Sequence, residues 1–479
     1  MTDSSRSYSS PLASRYASSA MQENFSSHRR ALIWRDLWIA LAECQKDLGL
    51  DISAAQIVAL KDARERIDLD RVAELEGEFR HDVMAHIHAY GEMAPEAKGI
   101  LHLGATSCFV ADGSDLVQMR AALRLLQGHL LEVVRALSVF CETHKDLPVL
   151  GFTHFQPAQP TTLGKRASLW LQDFLMDLED LESILDRLPF RGVKGTTGTQ
   201  ASFMELFDGD EAKVQELDRM VCERLGFPRT VPVCGQTYPR KWDARVLAVV
   251  SGIAASASKF AVDVRLMAHR RELEEPFGAK QVGSSAMPYK RNPMKCERIG
   301  ALSRYLLHLA PNAQDTAANQ WLERTLDDSA NRRLVIPESF LAADAILQLV
   351  REVASGMEAR PKVIASYLER ELPFMATETI LMAATAAGGD RQALHERIRI
   401  HSHAAADRLK EGDGKNDLLE RIANDPAFEA IQGDLATLVD PANFTGRASG
   451  QVSDFLKEFV KPLLAAREEL SAPATEVGV

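Results

Sequence analysis

Aromatic residues make up only 6% of the 479-residue chain, too few for a large sheet, where aromatic and β-branched side chains pack best. Positive charge is in deficit as well: 56 Lys and Arg face 67 Asp and Glu, for a formal net charge of −11. No broad positive field is left to offset nucleic-acid phosphates, although a local cluster of Arg and Lys still suffices for a small anion. The cysteines, Cys44, Cys108, Cys141, Cys222, Cys234 and Cys296, are scattered, with no CxxC pair and no metal-like spacing. That pattern fits free buried thiols in a reducing compartment rather than a disulfide framework. Long apolar runs are lacking too. Val246 to Ser258 is too short and too rich in Ala and Ser to span a bilayer, and the Ser- and Tyr-rich start has no apolar signal core. The expectation is a cytoplasmic protein with neither nucleic acid nor membrane as partner.

What is present favours helix, since Ala, Leu, Glu and Arg recur throughout. Leu116, Met119, Leu123, Leu126, Leu130, Val133, Leu137 and Phe140 alternate spacings of three and four. Leu171, Phe174, Leu178, Leu181, Leu185 and Leu188 keep the same rhythm, and so do Val246, Val250, Ile253, Ala257, Phe260, Val264 and Met267. Each set forms one apolar stripe on a helix suited to shallow-angle packing. Seams this long and regular often build a bundle shared between subunits. An earlier helix is marked by Trp34, Leu37, Trp38, Leu41 and Leu48, stopping at Gly49. Val149–Phe155 and Val231–Val233 are too short to suggest a sheet of any size. The fold class expected is therefore all-α, in three domains: a helical domain over 1–106, a long-helix bundle over 107–359, and a helical domain over 360–479. The Ser-rich first twenty residues and the C-terminal tail are expected to be mobile.

The densest chemistry lies in Gly283-Ser284-Ser285-Ala286-Met287-Pro288-Tyr289-Lys290-Arg291-Asn292-Pro293, followed by Glu297. It begins as a movable Gly-Ser loop and ends as a helix start, with Asn292 placed to cap and Pro293 at the first helical position. Lys290 and Arg291 then stand where the helix dipole favours an anion. A mobile hydroxyl beside an anion site suits proton abstraction next to a carboxylate: the base reaches carbon while the carboxylate absorbs the charge. In Gly151 to Pro160, His154 is held near Thr153 and Gln156 between prolines, where a histidine titrating near neutral pH can protonate a departing group. Phe79 to His88 carries Arg80, His81, Asp82 and His88 on an expected helix. The seven-residue gap between the histidines, with Asp82 off the His81 face, makes no tight metal triad, so no metal is expected. Thr106 and Ser107, after the Gly104-Ala105 turn, have hydroxyls able to donate to a carboxylate. Lys194 to Gln200 is rich in Gly and Thr but lacks the Gly-Lys-Ser/Thr ending of a phosphate loop, which excludes an NTPase.

These motifs resemble the fumarase/aspartase superfamily, whose members share a loop of the form GSSxMPxKxNPxxxE; every fixed position is present here. The resemblance implies anti elimination that releases fumarate, with Ser284 as base and His154 as acid. It also implies Lys290 and Asn292 as ligands of the succinyl carboxylates, Thr106 and Ser107 as ligands on the fumarate side, Thr153 as a substrate contact, and Glu297 as a support for His154. Arg80-His81-Asp82 is similar to the substrate-contacting segment of the adenylosuccinate lyase branch, where the histidine helps orient the substrate. Arg15-Tyr16 resembles a phosphate-contacting pair of that branch, and Arg324, Ser329 and Arg333 match its phosphate cluster. Gln236 looks like a contact to the base or carboxamide, and Arg298 like a further nucleotide contact.

The resemblance runs from about Ser10 to about Leu464, and Tyr289 in the loop is similar to animal-type members. It implies nucleotide substrates (adenylosuccinate and the succinylated aminoimidazole carboxamide ribotide, SAICAR), no cofactor, and a homotetramer whose sites draw on three subunits. Without the resemblance, the Arg324–Arg333 stretch reads equally well as a helix surface laced with ion pairs. A sister lyase with the same loop but no phosphate cluster, such as argininosuccinate lyase or fumarase, stays open. So does a catalytically silent helical tetramer.

Overall fold

In the computed structural model the described residues are 8–412 and 415–470; the extreme tails lie outside them. The helices that build the site are α1 (Ser27–Asp47), α2 (Leu69–Phe79), α3 (Asp82–Met93), α4 (Ser107–Thr143), α5 (Leu163–Arg187), α6 (Lys241–His269), α7 (Met294–Leu309) and α8 (Asp327–Gly356). Among the described residues strand is confined to two antiparallel ribbons, β1 (Pro148–Thr153) with β2 (Gln156–Thr162), and β3 (Leu273–Glu274) with β4 (Glu358–Ala359). The Val149–Phe155 stretch is thus one arm of a hairpin, while near Val231–Val233 the pairing is an isolated bridge between Phe190 and Thr230.

The three apolar stripes read from the sequence all face the interior. Every residue of the α4 and α6 stripes is buried, and in α5 only Leu185 is partly open. Helix α6 is long and apolar enough to cross a membrane by length and composition, but that stripe packs it as a core helix against α5, α7 and α8. Helix α8 is a fourth long member that no stripe announces. Every residue from Ser339 to Val350 in it is buried, so it has no polar face to set a period. Within α8, Pro337 has no N–H for the Arg333 carbonyl one turn earlier, which loosens the helix where it meets the site.

Buried ion pairs fix how the long helices line up. Just before α6, Arg240 reaches Asp112 in the second turn of α4 (Nη2–Oδ1 2.9 Å) and Asp328 at the start of α8 (Nε–Oδ2 2.7 Å). From α8, Arg332 reaches Asp115 (2.9 Å) and Asp243 (2.7 Å). Burial would raise the Asp112 carboxyl, but Arg240 and Arg332 beside it hold it below the usual carboxylate range. The N-terminal ends of α4, α6 and α8 therefore coincide. Their C-terminal ends carry the β1–β2 hairpin and the β3–β4 ribbon, where Arg270 stacks on Phe152.

Beyond β4 a second core gathers Ile380, Leu381, Leu394, Ile398, Leu418 and Phe428. The chain then returns: Val452, Leu456 and Val460 join the bundle core, and Arg467 pairs with Glu182 on α5. The Ser-rich start corrects the expectation of twenty mobile residues. From Leu12 onward it forms short helical turns, and Ser18 donates both its N–H (2.6 Å) and its hydroxyl (3.0 Å) to Asp344 in the middle of α8.

One buried acid stands out from this packing. Asp177 on α5 is 8% exposed and its Oδ2 has no partner among the described residues. Burial pushes its carboxyl up to about 7, against a hydrogen bond from Ser256 that lowers it. The folded state prefers the proton, so the contribution of this group is full below about pH 4 and is lost as pH rises through 7. Asp177→Asn is expected to stabilise the fold by about 2–4 kcal/mol at pH 8 and to leave it nearly unchanged at pH 4. Urea midpoints at the two pH values check this; an equal effect at both would refute it.

Candidate active site

At the N-terminal end of the bundle, five loops and helix starts converge. Thr106 occupies the N-cap of α4 without using its side chain as a cap, which leaves the hydroxyl for a ligand. The next residue, Ser107, has its Oγ 3.4 Å from Nε2 of His81. Arg80 and His81 do not continue a helix, as the sequence suggested. Arg80 ends α2 in the left-handed region (φ 55°), and His81 is the N-cap of α3, its Nδ1 accepting from the Met84 N–H at 3.3 Å. Because Nδ1 accepts, the proton of the neutral ring sits on Nε2 and points at Ser107. Asp82 binds Arg333 across to α8 (3.1 Å), and Arg324 binds Asp328 (2.8 Å).

Gln236 is fixed from three sides. Its N–H donates to the Glu323 carbonyl (2.9 Å), its own carbonyl accepts from the fully buried Arg191 (2.7 Å), and its side-chain oxygen accepts from the Cys108 thiol (3.5 Å). Burial pushes the Cys108 thiol up to about 12, so it stays protonated and able to donate. The preceding Gly235 has to be glycine, since a Cβ would collide with the Glu323 carbonyl. A narrow cavity opens at this end, lined among others by Asp82, Cys108, Arg324, Ser329 and Arg333.

A second group lies partway along the bundle. The Leu12–Tyr16 turn places the Tyr16 ring beneath the guanidinium of Arg298 on α7, 5.5 Å from the ring centroid, with Arg15 at 5.9 Å. Three residues read separately from the sequence thus meet.

The third group is at the far end. The β1–β2 hairpin closes through His154 and Phe155, both exposed and both at positive φ (52° and 60°), with Thr153 paired to Gln156. Two left-handed non-glycine residues in succession are strained, and such strain persists where the surroundings hold a tip in place for use. In the 283–293 loop, Gly283 packs so tightly on the Lys290 carbonyl that no side chain would fit. Asn292 donates to the Gly283 carbonyl (2.7 Å) and so closes the loop instead of capping a helix; helix α7 starts only at Met294. Nor is the α7 N-terminus open to a ligand. Its Lys295 and Cys296 N–H groups both donate to the buried Glu275, at 3.0 Å each. The anion expected at that helix start is supplied by the chain itself, and Lys290 stands free of it. Ser284 Oγ accepts N–H bonds from Met287 (3.1 Å) and Ala286 (3.3 Å). Two donors aimed at one oxygen favour its deprotonated form, which is what a serine needs to act as a base. Glu297 is exposed on the first turn of α7.

The first and third groups do not meet within one chain. Helix α4 has 37 residues, about 55 Å of length, with Thr106 and Ser107 at its start and the His154 hairpin beyond its last turn. The hairpin arms reach back no more than about 24 Å. The Ser284 loop is anchored at the same far end, by Arg291–Glu274 (3.2 Å) and Lys295–Glu352 (3.3 Å). Sequence reasoning missed Asp112, Asp115, Arg240 and Arg332, which tie the first group together. Arg332 was hidden by its neighbour Arg333: both line the cavity, but Arg333 is exposed while Arg332 is buried among acids.

A family model described as Lyase matches residues 15–305, and one described as Adenylosuccinate lyase C-terminus matches residues 373–455. The chain is 51% identical over 462 residues to an adenylosuccinate lyase of Schizosaccharomyces pombe, covering 96% of both chains. It is 46% identical to the adenylosuccinate lyase of Schistosoma mansoni, covering 97% of both. Its fold is that of the 3-carboxy-cis,cis-muconate lactonizing enzyme of Pseudomonas putida, with a TM-score of 0.80 over 96% of this chain and 99% of that one at 23% identity. With half of its residues shared along nearly its whole length, the chain belongs to the adenylosuccinate lyase family, on the helical fumarase/aspartase fold.

Proposed function

We propose that the chain cleaves adenylosuccinate to AMP and fumarate, and SAICAR to its ribotide and fumarate, in a site completed by three subunits of a homotetramer. The observation that carries the assembly is distance: the His81–Ser107 group and the His154 and Ser284 elements stand at opposite ends of helices about 45–55 Å long. No single small substrate bridges that gap, whereas parallel and antiparallel copies of the bundle bring such ends side by side. We also divide the chain into the three domains 1–106, 107–359 and 360–479, and place it in the cytoplasm, where its six free cysteines stay reduced.

In this reading the phosphate is held by Arg15, Tyr16, Arg324, Ser329 and Arg333, with Arg298 beside them, and Gln236 meets the base or carboxamide. Thr106, Ser107, Lys290 and Asn292 hold the succinyl carboxylates, while Arg80, His81, Asp82 and Thr153 orient the substrate. Ser284, primed by its two N–H donors, takes the proton from the carbon next to one carboxylate, and the electron pair spreads into that carboxylate. The C–N bond breaks, the pair becomes the fumarate double bond, and His154, steadied by Glu297, gives its proton to the leaving nitrogen. Protons and electrons balance without any redox partner.

Following ultraviolet absorbance with adenylosuccinate, argininosuccinate and malate in turn tests the substrate: only the first is expected to be consumed. Turnover of argininosuccinate alone would move the chain to a sister activity, and no turnover at all would favour a silent structural tetramer. Ser284→Ala is expected to lower turnover by about 10²–10⁴-fold while the substrate still binds; retained activity would move the base elsewhere. Mixing two inactive variants, Ser107→Ala and His154→Ala, under conditions that exchange subunits is expected to restore activity. A mixture that stays dead would place all site residues of one active site in one chain.

A further inference from the structure

We infer that Arg30 is a further anion-binding residue of the nucleotide pocket, contacting the substrate phosphate from the α1 wall; the inference rests on the phosphate reading of Arg324, Ser329 and Arg333. Five arginines and four aspartates line the cavity at the N-terminal end of the bundle. Four of the arginines are committed. Arg240 is bound to Asp112 and Asp328, Arg324 to Asp328, Arg332 to Asp115 and Asp243, and Arg333 to Asp82.

Arg30 is the remainder. Half-buried in the first turn of α1, its side chain makes no hydrogen bond or ion pair among the described residues, and its Nε is buried without a partner. Asp115 is close enough to feel its charge, but that carboxylate is already bound to Arg332 at 2.9 Å. One turn further along α1, the Trp34 indole N–H is spent on Ser114 (2.9 Å), which leaves Arg30 as the polar group that α1 presents to the cavity. A buried donor without an acceptor is costly, and native proteins leave few of them. That unmet donor is satisfied by an oxyanion with several acceptor oxygens, and a guanidinium fork matches phosphate geometry. Ser329 and Arg333 line the same cavity as Arg30.

The test is calorimetric titration of AMP and of fumarate into the wild-type assembly and into the Arg30→Gln, Arg30→Lys and Arg333→Gln variants, with melting temperatures recorded. Arg30→Gln is expected to weaken AMP binding about tenfold or more, as Arg333→Gln does, with fumarate binding unchanged and KM rather than kcat affected. Arg30→Lys keeps the charge but loses the fork, and is expected to fall between wild type and Arg30→Gln; it serves as the reading if Arg30→Gln does not fold. AMP affinity unchanged in both Arg30 variants but lost in Arg333→Gln overturns the role of Arg30 and leaves the phosphate cluster standing. Equal weakening of fumarate also overturns it, since Arg30 would then shape the pocket as a whole. A wild-type assembly that binds no AMP overturns both readings together.

Discussion

One buried guanidinium sets the geometry of everything around it. Arg240 binds acids on α4 and α8 from the segment that leads into α6, so the starts of three long helices are held at a common level. Leaving any of those charges unpaired in the interior would cost several kcal/mol, about 3–5 by analogy with other broken buried pairs. Hydrophobic stripes alone do not specify this level, because a stripe tolerates sliding by a heptad. The ion network does not tolerate it. With the helix starts aligned, the segments around them converge: Thr106-Ser107 at the start of α4, Gln236 before α6, and Arg324 to Ser329 at the start of α8.

The same alignment dictates the far end. Since α4, α6 and α8 run in one direction, whatever follows them emerges together, and this is where the His154 hairpin and the Ser284 loop are found. Both are short excursions braced on the bundle: the hairpin by its own ladder, the loop by Asn292, by Arg291 on Glu274, and by Glu275 under the start of α7. Mobile chemistry is thereby mounted on fixed posts.

Much of this was legible in the residues. The stripes on α4, α5 and α6 follow from period alone, because each has one wet face and one dry face. Helix α8 was not legible in that way, since a segment buried all round has no period. The site was legible through its loops, where residue types serve chemistry rather than packing. What stayed hidden was the ordering of charges. Nothing in a run such as Asn331-Arg332-Arg333 tells which arginine turns inward; that depends on where Asp115, Asp243 and Asp82 arrive from elsewhere in the chain. The placement of Asn292 was misread for a similar reason. A residue before Pro and a helix looks like a cap, but the close approach of Gly283 to Lys290 turned its amide into the clasp of the loop.

The length of α4 has a consequence for when the molecule becomes competent. A chain whose chemical groups stand at opposite ends of its own longest helix can finish folding, bury its core and satisfy its charges while remaining inert. On the proposed shared site, maturity would arrive by encounter rather than by refolding, and abundance would act as a threshold. Below some cellular level such chains would be a reserve of finished but silent parts, and above it they would become working machinery with no change in their individual shape.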